Sequence, residues 1–77
     1  MDDRAIIFLK LNKPYKEIVG SLRRYEEIKE SYALFGTDDA ILMVEVRNYE
    51  HLIDLIFNKI RTINGIKKTK THYSPKF

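Results

Sequence analysis

An α+β fold of the ferredoxin-like split βαβ type follows from three observations: four antiparallel strands in one sheet, with two helices on one face. Apolar runs rich in branched and aromatic residues and stretches with a helical apolar period alternate as strand, helix, strand, strand, helix, strand. Turn-forming residues separate them at Asn12–Pro14, Gly36–Asp39 and Asn64–Gly65. The halves Ile6–Glu30 and Ile41–Lys67 correspond loosely, each reading as strand–helix–strand, a weak internal repeat. With 77 residues and no linker or low-complexity stretch, residues 1–77 form a single domain.

Residues 4–11, rich in branched and aromatic side chains, read as the first strand. Pro14 suits the first turn of a helix, where no backbone donor is needed. Tyr15, Ile18, Leu22 and Tyr25 then recur at spacings of three and four, the stripe of an amphipathic helix. Gly20 falls on its opposite side. Residues 28–35 form the second strand, with Ile28, Tyr32 and Leu34 expected on one face. Gly36–Asp39 turns the chain into a third strand over Ala40–Val46. Asn48 caps a second helix whose core stripe is Tyr49, Leu52, Ile53, Ile56, Ile60 and Ile63, with Leu55 and Phe57 on its flanks. Gly65 suits the left-handed position after the helix end. Ile66 to about Tyr73 is the last strand, and Pro75 ends it.

Composition narrows the function. Hydrophobic residues make up 44% and charged residues 32%, a globular balance. No apolar run is long enough for a membrane span, and the acidic start Met1-Asp2-Asp3-Arg4 is unlike a basic signal peptide, so a cytoplasmic location is expected. Cysteine is absent, which excludes disulfides, thiol catalysis and Cys-ligated zinc. Gln is absent and Ile occurs ten times, a bias that suits a thermophile. The net charge of +3 is uneven. Residues 1–54 carry 8 Lys/Arg against 11 Asp/Glu, whereas residues 55–77 carry six bases and no acid. A lysine-protected edge strand accounts for this.

Apolar residues lie on both sides of the sheet. Ala5, Ile7, Leu9 and Leu11 alternate with Ile6 and Phe8, and Leu42, Val44 and Val46 alternate with Ile41 and Met43. One set packs on the helices. The other set, Ile6, Phe8, Ile41 and Met43, would face water in a monomer, and such a patch marks an association surface. A core this small also needs support from outside itself. Self-association through these four residues is therefore expected.

Enzyme chemistry finds little purchase, and no enzyme is expected. His51, three residues before Asp54, and His72 do not make a metal site, and both His51 and Asp54 read as solvated helix residues. The serines lack a nucleophile context, and the three glycines form no phosphate loop. No metal or cofactor is expected. Nucleic-acid binding on the sheet would require stacking aromatics on both central strands; only Phe8 is available, so direct DNA binding is not expected. The basic last strand keeps a small nucleic-acid-binding protein as an alternative.

From Ala5 to Tyr73 the chain resembles the effector-binding (RAM) domain of the Lrp/AsnC regulators. Four segments carry the resemblance: residues 5–11 followed by Pro14; Ile28-Lys29-Glu30-Ser31-Tyr32; the hairpin from Leu34 through Gly36-Thr37-Asp38-Asp39 to Leu42; and Ile63-Asn64-Gly65-Ile66 running into Thr69 and Thr71. The resemblance implies a transcription-regulation accessory module that pairs through its sheets as a dimer, closing in some members into an octamer. It also implies a small effector, typically an amino acid, bound between subunits. Carried over, Gly36 leaves the backbone open to a ligand. Asp39, with Asp38 beside it, receives an ammonium group. Thr69 and Thr71 contact a carboxylate, and His72 and Tyr73 line the side-chain part of the pocket. Asp38 stands where the family has a tyrosine and Phe35 where it has a small polar residue. Two adjacent carboxylates favour a cationic ligand. No residues for a helix-turn-helix precede the first strand, so a stand-alone domain that joins full-length relatives is expected. The alternative is an interaction oligomer with a vestigial pocket.

Overall fold

The computed structural model describes residues 2–75. Strand β1 spans Asp3–Leu11, helix α1 Tyr15–Leu22, β2 Ile28–Ala33, β3 Ala40–Val46, α2 Tyr49–Asn58 and β4 Ile66–Ser74. A single 3₁₀ turn, Ile60–Thr62, links α2 to β4. The strands lie in the order β2-β3-β1-β4, all pairs antiparallel, so β1 and β3 are central. This is the expected βαββαβ architecture.

The alternation in the central strands decides what is buried. Ala5, Ile7 and Leu9 of β1 and Ala40, Leu42, Val44 and Val46 of β3 are buried against Ile18 and Leu22 of α1 and Leu52, Leu55 and Ile56 of α2. Ile6, Phe8, Ile41 and Met43 take the opposite parity and lie on the face that no helix covers. The cap at Asn48 is present: its Oδ1 accepts the His51 N–H at 2.8 Å.

Several details depart from the expected pattern. α1 ends at Leu22, so Tyr25 sits in the following turn and not on the helix. β2 ends at Ala33, and a bulge between Ile28 and Glu30 changes the parity of the strand. Ile28 faces the helices, whereas Tyr32, opposite Ile41, lies on the open face and not beside Ile28. α2 ends at Asn58, and the chain tightens into the 3₁₀ turn that carries Ile60 into the core. Leu55 is fully buried rather than flanking, and Tyr49 is exposed rather than core.

Two glycines carry opposite expectations. Gly65 adopts φ +114°, and a Cβ there would collide with Ile18 Cδ1 and crowd Lys13 Cδ at 3.1 Å. Its carbonyl accepts the Asn12 N–H at 2.8 Å, which fastens the start of β4 to the β1–α1 turn. Gly20 lies exposed in α1, where an added Cβ would meet nothing within 4 Å. Gly20→Ala is expected to raise stability by up to about 1 kcal/mol, read as a higher urea midpoint with an unchanged slope.

Candidate functional site

The β2–β3 hairpin leans on the end of β1. Asp39 is the anchor. Its N–H donates to the Leu9 carbonyl at 2.8 Å, its carbonyl accepts the Leu34 N–H at 2.9 Å, and its Oδ2 accepts the Leu11 N–H at 2.8 Å. The Lys10 ammonium reaches the Thr37 carbonyl across the same gap. Between hairpin and β1–α1 turn runs an open groove of about 610 Å³. Leu11, Asn12, Lys13, Pro14 and Tyr15 form one wall, and Ala33, Leu34, Phe35 and Asp39 the other. Phe35 stands fully exposed at the hairpin. Gly36 has φ +149° with open space where a side chain would be, so the backbone there is accessible to a ligand.

The six expected ligand residues do not converge within one chain. Gly36, Asp38 and Asp39 share the hairpin. Thr69 pairs with Leu9 and Thr71 with Ile7, on the helix side of β4. Asp39 and Thr69 thus bracket Leu9 from its two neighbouring strands, roughly 10 Å apart at the usual strand spacing. His72 pairs with Ile6 on the opposite face, edge-on to Phe8 with ring centroids 5.8 Å apart. Tyr73 is engaged at the sheet end: its hydroxyl bonds the Asp3 carboxylate, which raises its pKa, and its ring meets Tyr49 at 5.3 Å.

A cluster that the sequence did not single out lies at the other end of the helix layer. Glu27, 7% exposed, precedes β2. Its Oε2 accepts from Lys59 Nζ at 2.9 Å and from His51 Nε2 at 3.0 Å. His51 Nδ1 accepts the Arg47 N–H at 2.9 Å, which places the ring proton on Nε2. His51 is therefore not the solvated helix residue expected of it. Burial pushes the Glu27 carboxyl upward, but the hydrogen bonds from Lys59 and His51 outweigh it and lower the pKa from 4.5 to about 2. A depressed carboxylate stabilises the fold above pH 4.5, and that contribution is lost as pH falls from 4.5 toward 2. A steeper loss of thermal stability across that window is expected for the natural chain than for Glu27→Gln. Among the described residues no three His, Cys, Asp or Glu side chains are grouped to hold a metal ion, and no helix is long and apolar enough to cross a membrane.

The family model of the Lrp/AsnC ligand binding domain matches residues 4–76. The chain belongs to this family. It is 32% identical over 65 residues to the regulatory protein AsnC of Escherichia coli, an alignment that takes in 84% of the chain and 43% of that regulator. The structure of E. coli AsnC superposes with a TM-score of 0.89 at 26% identity, over 99% of this chain and 52% of the other. The chain thus spans about half the length of AsnC. FFRP-DM1 superposes with a TM-score of 0.82 at 28% identity and is matched over 99% of its own length, with 96% of this chain covered. A transcriptional regulator from Neisseria meningitidis, solved as an L-Met complex, shares the fold with a TM-score of 0.87 at 17% identity, over 96% of this chain and 50% of that one. Within the Lrp/AsnC frame, the hairpin and the start of β4 sit at one end of the sheet, and the open face holds Ile6, Phe8, Ile41 and Met43.

Proposed function

We propose that this Lrp/AsnC domain is a self-associating regulatory module that binds a small effector, an amino acid, at a site completed between subunits. The carrying observation is the hairpin: Gly36 is open, and Asp39 is held rigidly while one carboxylate oxygen stays uncommitted to Leu11. Asp39, with Asp38 beside it, would receive an ammonium group, and Thr69 and Thr71 would meet the carboxylate. His72, on the other face, would contribute only from a second subunit. The L-Met complex of the Neisseria relative supports an amino acid as the ligand class. Ile6, Phe8, Ile41 and Met43 would be covered by a second copy in a dimer, which could close further into an octamer. The module would act in the cytoplasm by associating with other Lrp/AsnC regulators. Ligand binding at such an interface shifts assembly as much as assembly shifts affinity.

Thermal melts against the twenty amino acids test the reading. A ligand at 100 times its dissociation constant adds about 2.7 kcal/mol, which raises the Tm of a domain this size by roughly 10 °C or more. At least one amino acid is expected to do so, and Asp39→Asn, which keeps an acceptor for the Leu11 N–H, is expected to abolish the shift. A flat response to all twenty would favour the second reading, an interaction oligomer with a vestigial pocket. Phe35 in the wall of the groove favours that alternative.

A further inference from the structure

Asn64 and Gly65 are the central residues of the turn that leads into β4, closed by the Ile66 N–H on the Ile63 carbonyl at 3.3 Å. Asn64 is exposed, and its side chain makes no hydrogen bond among the described residues. Gly65 is buried, and its N–H donates no hydrogen bond among them either. Without a Cβ, Gly65 leaves that nitrogen unscreened from the Asn64 side-chain amide. The chain's other asparagines, Asn12, Asn48 and Asn58, differ. Asn48 Oδ1 is engaged by the His51 N–H, and the residue after it already belongs to α2. Asn58 Nδ2 donates to Asp54 Oδ1 at 2.6 Å, and the Lys59 N–H after it is committed to the Leu55 carbonyl at 3.2 Å. Asn12 is followed by Lys13, whose side chain shields its own nitrogen. Asn64 alone combines an uncommitted side-chain amide with an open neighbouring nitrogen.

We propose that Asn64–Gly65 is a self-modification site: spontaneous deamidation turns Asn64 into isoaspartate and thereby unfastens β4 from the β1–α1 turn. The Gly65 nitrogen attacks Asn64 Cγ. The N–Cγ bond forms, the Cγ–Nδ2 bond breaks, and ammonia leaves with the Gly65 amide proton. The product is a five-membered cyclic imide. Water then opens it on one of two sides. Opening at the side-chain carbonyl gives aspartate. Opening at the main-chain carbonyl gives isoaspartate, in which the chain runs through Cγ. Water is the only co-reactant, and nothing is oxidised or reduced.

The two products differ in what they do to the fold. Isoaspartate adds one carbon, about 1.5 Å, to the main chain just before Gly65. Gly65 has no room to absorb it. Ile18 Cδ1 and Lys13 Cδ already crowd the place a Cβ would take, and the Gly65 carbonyl holds the Asn12 N–H at 2.8 Å. A displaced Gly65 either presses on Ile18 in the close-packed core or gives up Asn12. Asn12 and Lys13 also stand in the wall of the groove beside the hairpin, so a change at a surface turn reaches both core and groove. Aspartate keeps the main chain at its natural length. It only places a carboxylate in the polar cavity that Asn64 lines with Lys13 and Arg24, where the fold can hold it.

Two measurements test it. In the first, the natural chain and a free peptide of residues 60–69 are incubated side by side at mildly alkaline and mildly acidic pH, digested and mapped by mass. Conversion at Asn64 is expected within about tenfold of its rate in the peptide, since exposed turns open at little cost. It should run faster at the alkaline pH, because the attacking nitrogen must lose its proton, and leave Asn12, Asn48 and Asn58 unconverted. A slower rate than that, or equal conversion at another asparagine, would overturn the inference. In the second, a synthetic chain carrying isoaspartate at position 64 is melted beside Asn64→Asp made the same way. The isoaspartate chain is expected to melt lower by roughly 5 °C or more, and Asn64→Asp to melt with the natural chain. An isoaspartate chain that does not fold, while Asn64→Asp does, supports the unfastening as well. Equal melting of the two synthetic chains would overturn it.

Discussion

Glu27→Ala is expected to cost about 3 kcal/mol of folding stability at neutral pH. The carboxylate joins three parts of the chain that are distant in sequence: the loop before β2, the first turn of α2 through His51, and the end of α2 through Lys59. Its removal leaves the His51 Nε2–H buried without an acceptor, and breaking a buried ion pair from one side typically costs about 3–5 kcal/mol. The lower end applies because Lys59 is partly exposed and regains water. Urea unfolding at fixed protein concentration reads the loss. His51→Ala should add little in the Glu27→Ala background, although alone it is costly; strict additivity of the two would show that the cluster does not act as a unit.

Gly65→Ala is expected to cost about 2–4 kcal/mol. A positive φ of +114° strains any residue with a Cβ, at about 1–3 kcal/mol, and the added carbon would drive Ile18 out of its place in the core. Ile18 is fully buried, so its displacement loosens α1 from the sheet. Ile18→Val in the same chain should recover part of the loss by removing the colliding methyl. A double variant that loses the sum of Gly65→Ala and Ile18→Val measured singly would show that backbone strain alone matters. Gly20→Ala, of opposite sign, serves as the control for a glycine that touches nothing.

Local periodicity made the architecture legible. The run Ala40–Val46, apolar but for Glu45, is a strand over those same residues, and the Asn48 cap is present; Gly65 has the positive φ read for it, but the helix ends at Asn58 and not at Gly65. What local pattern could not carry was pairing and long-range contact. The bulge at Ile28/Glu30 exists only relative to β3, so Tyr32 moved to the open face without any local signal. The continuous Ile stripe suggested helix to Ile63, but the packing of Ile60 tightens the chain after Asn58. Glu27 finds its partners 24 and 32 residues away, and a lone carboxylate before a strand gives no hint of them. In the candidate site, the hairpin residues Gly36, Asp38 and Asp39 stand together as read. Thr69 and Thr71 fall on the helix side of β4 and His72 on the open face, a division that the strand period could have shown once the register was known.

Sedimentation equilibrium of the natural chain tests the central claim most directly, which is that a second copy covers the open face. The 9.2 kDa chain is predicted to sediment at micromolar concentration with at least twice that mass, and Ile6→Glu/Met43→Glu to sediment at the chain mass with unchanged far-UV circular dichroism. A natural chain that remains at 9.2 kDa as its concentration rises would contradict it.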